Sequence, residues 1–433
     1  MEIDKFQILF GYLIFSIGTF VVWFSKKNFV ASIQLGFFFI AYLLPILLTD
    51  TLSRFNPVYV HSFAQMMLIG GLTYLVGLIV GWRLKPFRHK TFTFEKILKF
   101  DSGKDPVERK IKLLFAITLI GIPIAFLFAG FVPAFANDPL AAKFLRNQYA
   151  LNPLVDLIYR SMFLISTVII IPITLYVIQR RTPGNIIMFA VLIVYISLFL
   201  QRGYIGIGVL TVLSIVMSSS TSRFALFVIL NIFLFGLGSD LYQLLFNLGI
   251  LNTNISASVS SLTQDIAQGA PDVSDQLKLF TNFVQYNIPY TNGLLFFGGL
   301  VPGHFAWNPS VWSLTFLNSE GTNDIISGGI RFTPALMGYV SFGIPGVIFV
   351  CILSGLLQGY FSRWLKNCIN ICTSKRQMLY YYLFFFFVLQ PFSVFYSLSE
   401  IALPSIVITI YLLYKVSFRL RRPAENTIVN FNA

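Results

Sequence analysis

The chain has 433 residues, of which 56% are hydrophobic and only 11% charged, and its mean hydropathy is +0.76. A soluble domain carries about a quarter charged residues, so this composition excludes a water-soluble protein and calls for lipid against the apolar surface. The formal charge of +14 raises nucleic acid as a partner, and its distribution along the chain then argues against one.

A helical crossing needs about twenty mainly apolar residues. Such runs fall at 6–24, 29–49, 58–82, 113–136, 154–178, 186–200, 204–218, 224–246, 334–361, 380–396 and 401–417. The first run has no basic leader and is followed by Lys26 and Lys27, so it is expected to be a span with its N-terminus outside, not a cleaved signal peptide. Alternation from that start puts 23 of the 31 basic residues on the cytoplasmic side, with only five of the 17 acids. This positive-inside bias fits eleven spans with the N-terminus out and the C-terminus in. The expected fold class is therefore all-α, a polytopic transmembrane helix bundle. The runs 186–200 and 204–218 are short, separated only by Gln201-Arg202-Gly203, and are expected to form a tight helical hairpin with Arg202 at its outer tip.

The predicted organisation is residues 1–246 with eight spans and a basic cytoplasmic loop at 83–112, a large outer loop at 247–333, and residues 334–433 with three spans and a cytoplasmic tail. In the outer loop, Ile255, Val259, Leu262 and Ile266 recur at helical spacing, and Leu277, Phe280 and Val284 form a second stripe. Such helices either lie on the outer leaflet or cap the bundle. Trp307 and Trp312 suit either the headgroup level or a sugar face. Cys351, Cys368 and Cys372 give neither a disulfide framework nor a metal spacing. No Walker loop, dinucleotide glycine pattern or HExxH is present, so no cofactor and no metal are expected.

Ionisable groups at span ends are functional candidates by default. On the outer side these are Lys143, Arg146, Arg160, Arg202 and Arg331, with the acids Asp156, Asp240 and Glu400. Arginines converging on one site suit a phosphate or pyrophosphate, because the guanidinium is a permanently charged planar fork of donors. The competing expectation is local pairing, as for Arg160 with Asp156 at i, i+4. All of these lie near the predicted outer boundary and not at the midplane, which disfavours a transporter. His304 is the one histidine in the outer loop and, with Asp240 and Glu400, a candidate general base.

The segment from Gly328 to Gly346 (GGIRFTPALMGYVSFGIPG), which includes Arg331 and Tyr339, resembles the point where the large outer loop of Wzy-type oligosaccharide repeat-unit polymerases re-enters the membrane. Gln201-Arg202-Gly203 and Arg146-Asn147-Gln148-Tyr149 also fit that pattern. The resemblance implies a GT-C-like fold and a metal-independent glycosyltransferase at the outer face of a bacterial cytoplasmic membrane. Its substrate would be a glycan on undecaprenyl pyrophosphate, polymerised into O-antigen or capsule, with a chain-length regulator as a possible partner. Arg331 and Arg202 first, then Arg146, Arg160, Lys143 and Tyr339, are expected to hold the pyrophosphate. An O-antigen ligase and a flippase of lipid-linked oligosaccharide are the alternatives.

Overall fold

The computed structural model describes residues 2–22, 38–49, 51–84, 106–145, 147–200, 202–217, 272–301, 306–317, 330–372, 374–399 and 402–418, with short pieces between 222 and 230. Among the described residues the chain is all-helical, with no strand. Four helices are long and apolar enough to cross a membrane: Pro57–Arg83, Val107–Ala129, Pro153–Arg180 and Pro334–Asn370. This marks the chain as a membrane protein.

The described helices are α1 (Glu2–Val22), α2 (Leu44–Leu48, continuing a π-helical turn at Phe39–Leu43), α3 (Pro57–Arg83), α4 (Pro106–Ala129), α5 (Pro139–Lys143), α6 (Pro153–Arg180), α7 (Pro183–Leu198) and α8 (Arg202–Met217). Further along the chain come α9 (Asp272–Gln285), α10 (Leu294–Gly298), α11 (Pro309–Leu317), α12 (Pro334–Ile371), α13 (Lys375–Phe384), α14 (Gln390–Ser393) and α15 (Ala402–Phe418). Several start where an Asn, Thr or Ser precedes the first turn. Asn56 accepts from Val58 N, Asn152 from Val155 N, and Thr333 from Leu336 N, each followed by proline at the first helical position. Proline lacks only a donor that the first turn leaves free, and each side-chain cap is worth about 1 kcal/mol.

The bundle has two hydrophobic clusters. One is built on α4, α6, α7, α13 and α15, around Tyr159, Phe163, Ile170, Tyr176 and Tyr382. The other is built on α1, α3, α9 and the first half of α12, around Tyr12, Phe63, Met67, Phe280 and Met337. Helix direction follows from the contacts. Asp4 meets His61, and Gly11 meets Met67, so α1 and α3 run the same way. Phe199, after α7, meets Tyr159 and Phe163 near the start of α6, whereas Lys375 reaches Val216 and Arg376 reaches Gln179 at the other end. Helices α7 and α8 therefore form a true hairpin. Leu200, at φ 57°, makes the turn, and Arg202 starts the returning helix.

One end of the bundle is strongly basic. There Arg363 Nη1 donates to the carbonyls of Trp82, Arg83 and Leu84, which terminate α3. Lys366 lies over Trp82, and Glu108 joins Arg180 and Lys112. Cations belong at helix C-termini, where carbonyls are left without intrahelical donors. Among the described residues, Arg83, Lys112, Arg180, Arg363 and Lys366 thus gather at one end.

Helices α3 and α12 meet along a glycine seam. A Cβ added at Gly77 or Gly81 would run into the carbonyls of Ile352 and Leu356, and one at Gly355 or Gly359 into those of Tyr74 and Leu78. Each helix thus contributes glycines four apart, and the backbones touch directly, as small-residue stripes allow between membrane helices.

The predicted span at 334–361 needs correction. Phe342 (φ −148°, ψ 16°) and Gly343 (φ 67°, ψ −151°) break α12. Residues 334–341 form an arm that folds back on the rest. Gly338 and Gly346 stand backbone to backbone, and Ala335 and Cys351 both border Gly70. The crossing helix therefore begins at 344. Gly343 supplies the left-handed conformation that the reversal requires.

Candidate functional site

Helix α9 packs against the bundle. Its apolar face, Val273, Leu277, Phe280 and Phe283, is buried in the bundle beside α3. Phe280 meets Phe63 of α3 and Tyr339 of the arm. One turn away from Phe280, Gln276 meets Tyr12. Helix α9 therefore runs antiparallel to α3, with its first residue, Asp272, at the end nearer the middle of α3.

Gln276 falls within the apolar face and is fully buried. A buried amide must be satisfied, and this one joins three segments. Tyr12 OH donates to Gln276 Oε1 at 3.2 Å, and Gln276 Nε2 donates to the Arg331 carbonyl at 2.8 Å. The neighbouring backbone is pinned as well. Ile330 N donates to Ser313 Oγ at 3.3 Å, and Thr333 caps the arm with its hydroxyl 4.0 Å from Met67 Sδ. The main chain of Arg331 is thus fixed, while its side chain is 65% exposed and meets Asp272 Oδ2 through Nη1 at 3.2 Å. Tyr42 completes the wall, its ring stacked on Tyr12 at 4.0 Å and 10°. Burial pushes the Asp272 carboxyl above its ordinary value, and the Arg331 guanidinium only partly offsets this. Asp275 is raised too, by burial and by Asp272 beside it.

The arm fixes where this site lies along α3. Arg331 immediately precedes the arm whose Ala335 touches Gly70, the middle residue of the 27-residue α3. That point is about 20 Å along the helix from either end. The fold-back thus brings the segment after Arg331 against the middle of α3. A hydropathy pattern gives no sign of it, because the arm is as apolar as the crossing helix.

The other predicted residues are distributed as follows. Tyr339 belongs to the arm, further along the chain from Arg331, in an aromatic group with Phe280, Phe283 and Tyr290. Arg160 pairs with Asp156 at 2.6 Å, the local alternative, and belongs with the cluster around Tyr159 rather than the one containing Ile330. Lys143 stands over the Phe144 ring at 5.2 Å. Arg202 is described by its backbone alone, and Arg146, Asp240, His304 and Glu400 lie outside the described residues, as does the stripe from Ile255 to Ile266. Trp312 is buried among Phe283, Phe316 and Phe332, so its ring packs the loop onto the bundle.

Sequence reading missed Asp272, Gln276, Tyr12 and Tyr42. Gln276 was the legible signal, since an amide on the stripe that carries Val273, Phe280 and Phe283 has to find partners inside. The site offers an anion a guanidinium beside a carboxylate, at half the length of a membrane-sized helix. No protein-family model, curated protein or solved structure matches the chain.

Proposed function

We propose that the chain polymerises undecaprenyl-pyrophosphate-linked oligosaccharide repeat units into a surface polysaccharide. The reaction is glycosyl transfer at the outer face of a bacterial cytoplasmic membrane. The observation that carries this reading is Arg331, whose main chain is held by Gln276 while its side chain is largely exposed beside Asp272. When the bond from the donor sugar to the pyrophosphate breaks, negative charge grows on the leaving phosphate. A prepositioned guanidinium stabilises that charge more than it stabilises the bound substrate, and this difference accelerates the step. Bidentate donors and a permanent charge favour arginine for the task. The activated lipid supplies the driving force.

A second reading, a flippase for the lipid-linked oligosaccharide, is favoured by one observation. A broken helix with a charged residue at mid-length is the pattern of transporter sites. Deleting the encoding locus separates the two. A polymerase deletion leaves a single repeat unit on the surface and removes the long-chain ladder. A flippase deletion removes surface glycan altogether and leaves the unit on the cytoplasmic leaflet. Loss of the entire attached glycan, with polymer accumulating on the lipid, would point to a ligase instead. Arg331→Ala that leaves chain length unchanged would sink the phosphate role.

A further inference from the structure

Glycosyl transfer also needs a group to take the proton of the acceptor hydroxyl, and the three acid–base candidates from the sequence lie outside the described residues. We propose that Asp272 is that base, an assignment that rests on the polymerase reading above. Its Oδ2 faces Arg331 Nη1 at 3.2 Å, whereas Oδ1 accepts no hydrogen bond among the described residues. The carboxylate is 17% exposed and sits on the first turn of α9, whose position is set by the Gln276 contacts to Tyr12 and Arg331. An acceptor sugar placed against Arg331's pyrophosphate would present its hydroxyl to the open oxygen.

The step balances. The acceptor O–H proton passes to Asp272 Oδ1 as the hydroxyl oxygen attacks the anomeric carbon of the donor. The bond from that carbon to the pyrophosphate oxygen breaks, and its electron pair leaves with the lipid pyrophosphate beside Arg331. The proton then moves from Asp272 to the released pyrophosphate, restoring the carboxylate. Among the described residues, the groups facing Asp272 are Arg331 from the segment before the arm, Tyr12 from α1, Tyr42 from the π-helical turn, and Asp275 on α9 itself. Their balance, with burial outweighing the guanidinium, makes Asp272 a stronger base than an exposed aspartate, as proton abstraction near neutral pH requires.

The bland alternative is that Asp272 only anchors Arg331. Membranes carrying the full chain, supplied with lipid-linked repeat unit from the host, separate the two by the length of the glycan ladder. Asp272→Asn should lower extension by about 100-fold or more, the range for loss of a general base. Protection of the detergent-purified protein against heat by undecaprenyl pyrophosphate should persist. Asp272→Glu should recover part of the extension with a displaced acid limb in its pH–rate profile. Asparagine that extends as fast as wild type overturns the assignment, as does asparagine that loses extension and lipid protection together, the mark of a mere anchor. Wild-type membranes that extend nothing would remove the polymerase reading itself, and this assignment with it.

Discussion

Gly70→Ala tests whether the arm sets the position of Arg331. A methyl group at this position would lie 2.6 Å from the Ala335 Cβ, 3.3 Å from Cys351 Sγ and 3.3 Å from Phe15 Cζ. Carbon atoms rest at about 3.5–4.0 Å, so the arm must retreat by about 1 Å. Overpacking of this kind costs about 1–3 kcal/mol, offset by about 1 kcal/mol from the better helix propensity of alanine. The expected stability loss is therefore about 1 kcal/mol. The functional loss should be much larger, because a displacement of about 1 Å at a reacting centre can cost about 100-fold. Thermal unfolding in detergent and ladder length in membranes measure the two separately. Adding Ala335→Gly removes the clashing methyl and should restore extension. Gly184→Ala, where the new Cβ meets nothing within 4 Å, serves as the neutral control. A Gly70→Ala protein with a full ladder, or one that Ala335→Gly cannot rescue, would refute the link between the α3–arm contact and activity.

Gln276→Leu leaves the Tyr12 hydroxyl and the Arg331 carbonyl without their partner, at about 1–3 kcal/mol for each orphaned group. A double-mutant cycle with Tyr12→Phe should give a coupling of about 0.5–3 kcal/mol, and strict additivity in chemical unfolding would contradict the bridge. Arg363→Gln should lower stability by about 1.5–3 kcal/mol, the range for hydrogen bonds to a charged group, through the exposed carbonyl end of α3. An unchanged melting temperature would argue against that cap. Asp275 has a folded-state value raised above the ordinary 3.8 by burial. Its contribution to stability is thus complete below 3.8 and is lost as pH rises through the raised value. Asp275→Asn should flatten the fall in melting temperature above pH 4, and a fall as steep as in wild type would count against the burial.

The long crossings were legible in the sequence because their signals are local. The run 58–82 became Pro57–Arg83 and 154–178 became Pro153–Arg180, since Asn-Pro marks each start. The run 113–136 shifted to Pro106–Ala129. The helix continues through Glu108, Arg109, Lys110 and Lys112, with Val107 and Ile111 on its buried side, and stops at Gly130, where φ is 77°. The hairpin at Leu200 was also legible, as charge alternation demanded a reversal there. What stayed hidden is nonlocal. Gln276 and Arg331 are 55 residues apart, and no periodicity announces that an amide in one segment holds the carbonyl of another. The fold-back at Gly343 was concealed for a different reason: both limbs are apolar, so length was assigned to one helix where the chain makes two. Gly338, Gly343 and Gly346 were visible, but glycine also serves close helix packing, as it does along α3.

The same fold-back ties the arm to several parts of the chain. Within 334–361 the arm is held at Gly338, which stands against Gly346 and Val347. The arm's remaining partners come from elsewhere: Gly70 and Met67 from α3, Gln276 and Phe280 from α9, and Thr291 and Asn292, whose N–H groups donate to Val340 O and Ser341 O at its tip. The arm's position therefore depends on α3, α9 and the 291–292 turn as well as on its own helix. Depth and sequence also run in opposite senses between 333 and 342. Cysteine labels moved along this stretch should become more accessible with increasing residue number, then less accessible beyond the turn.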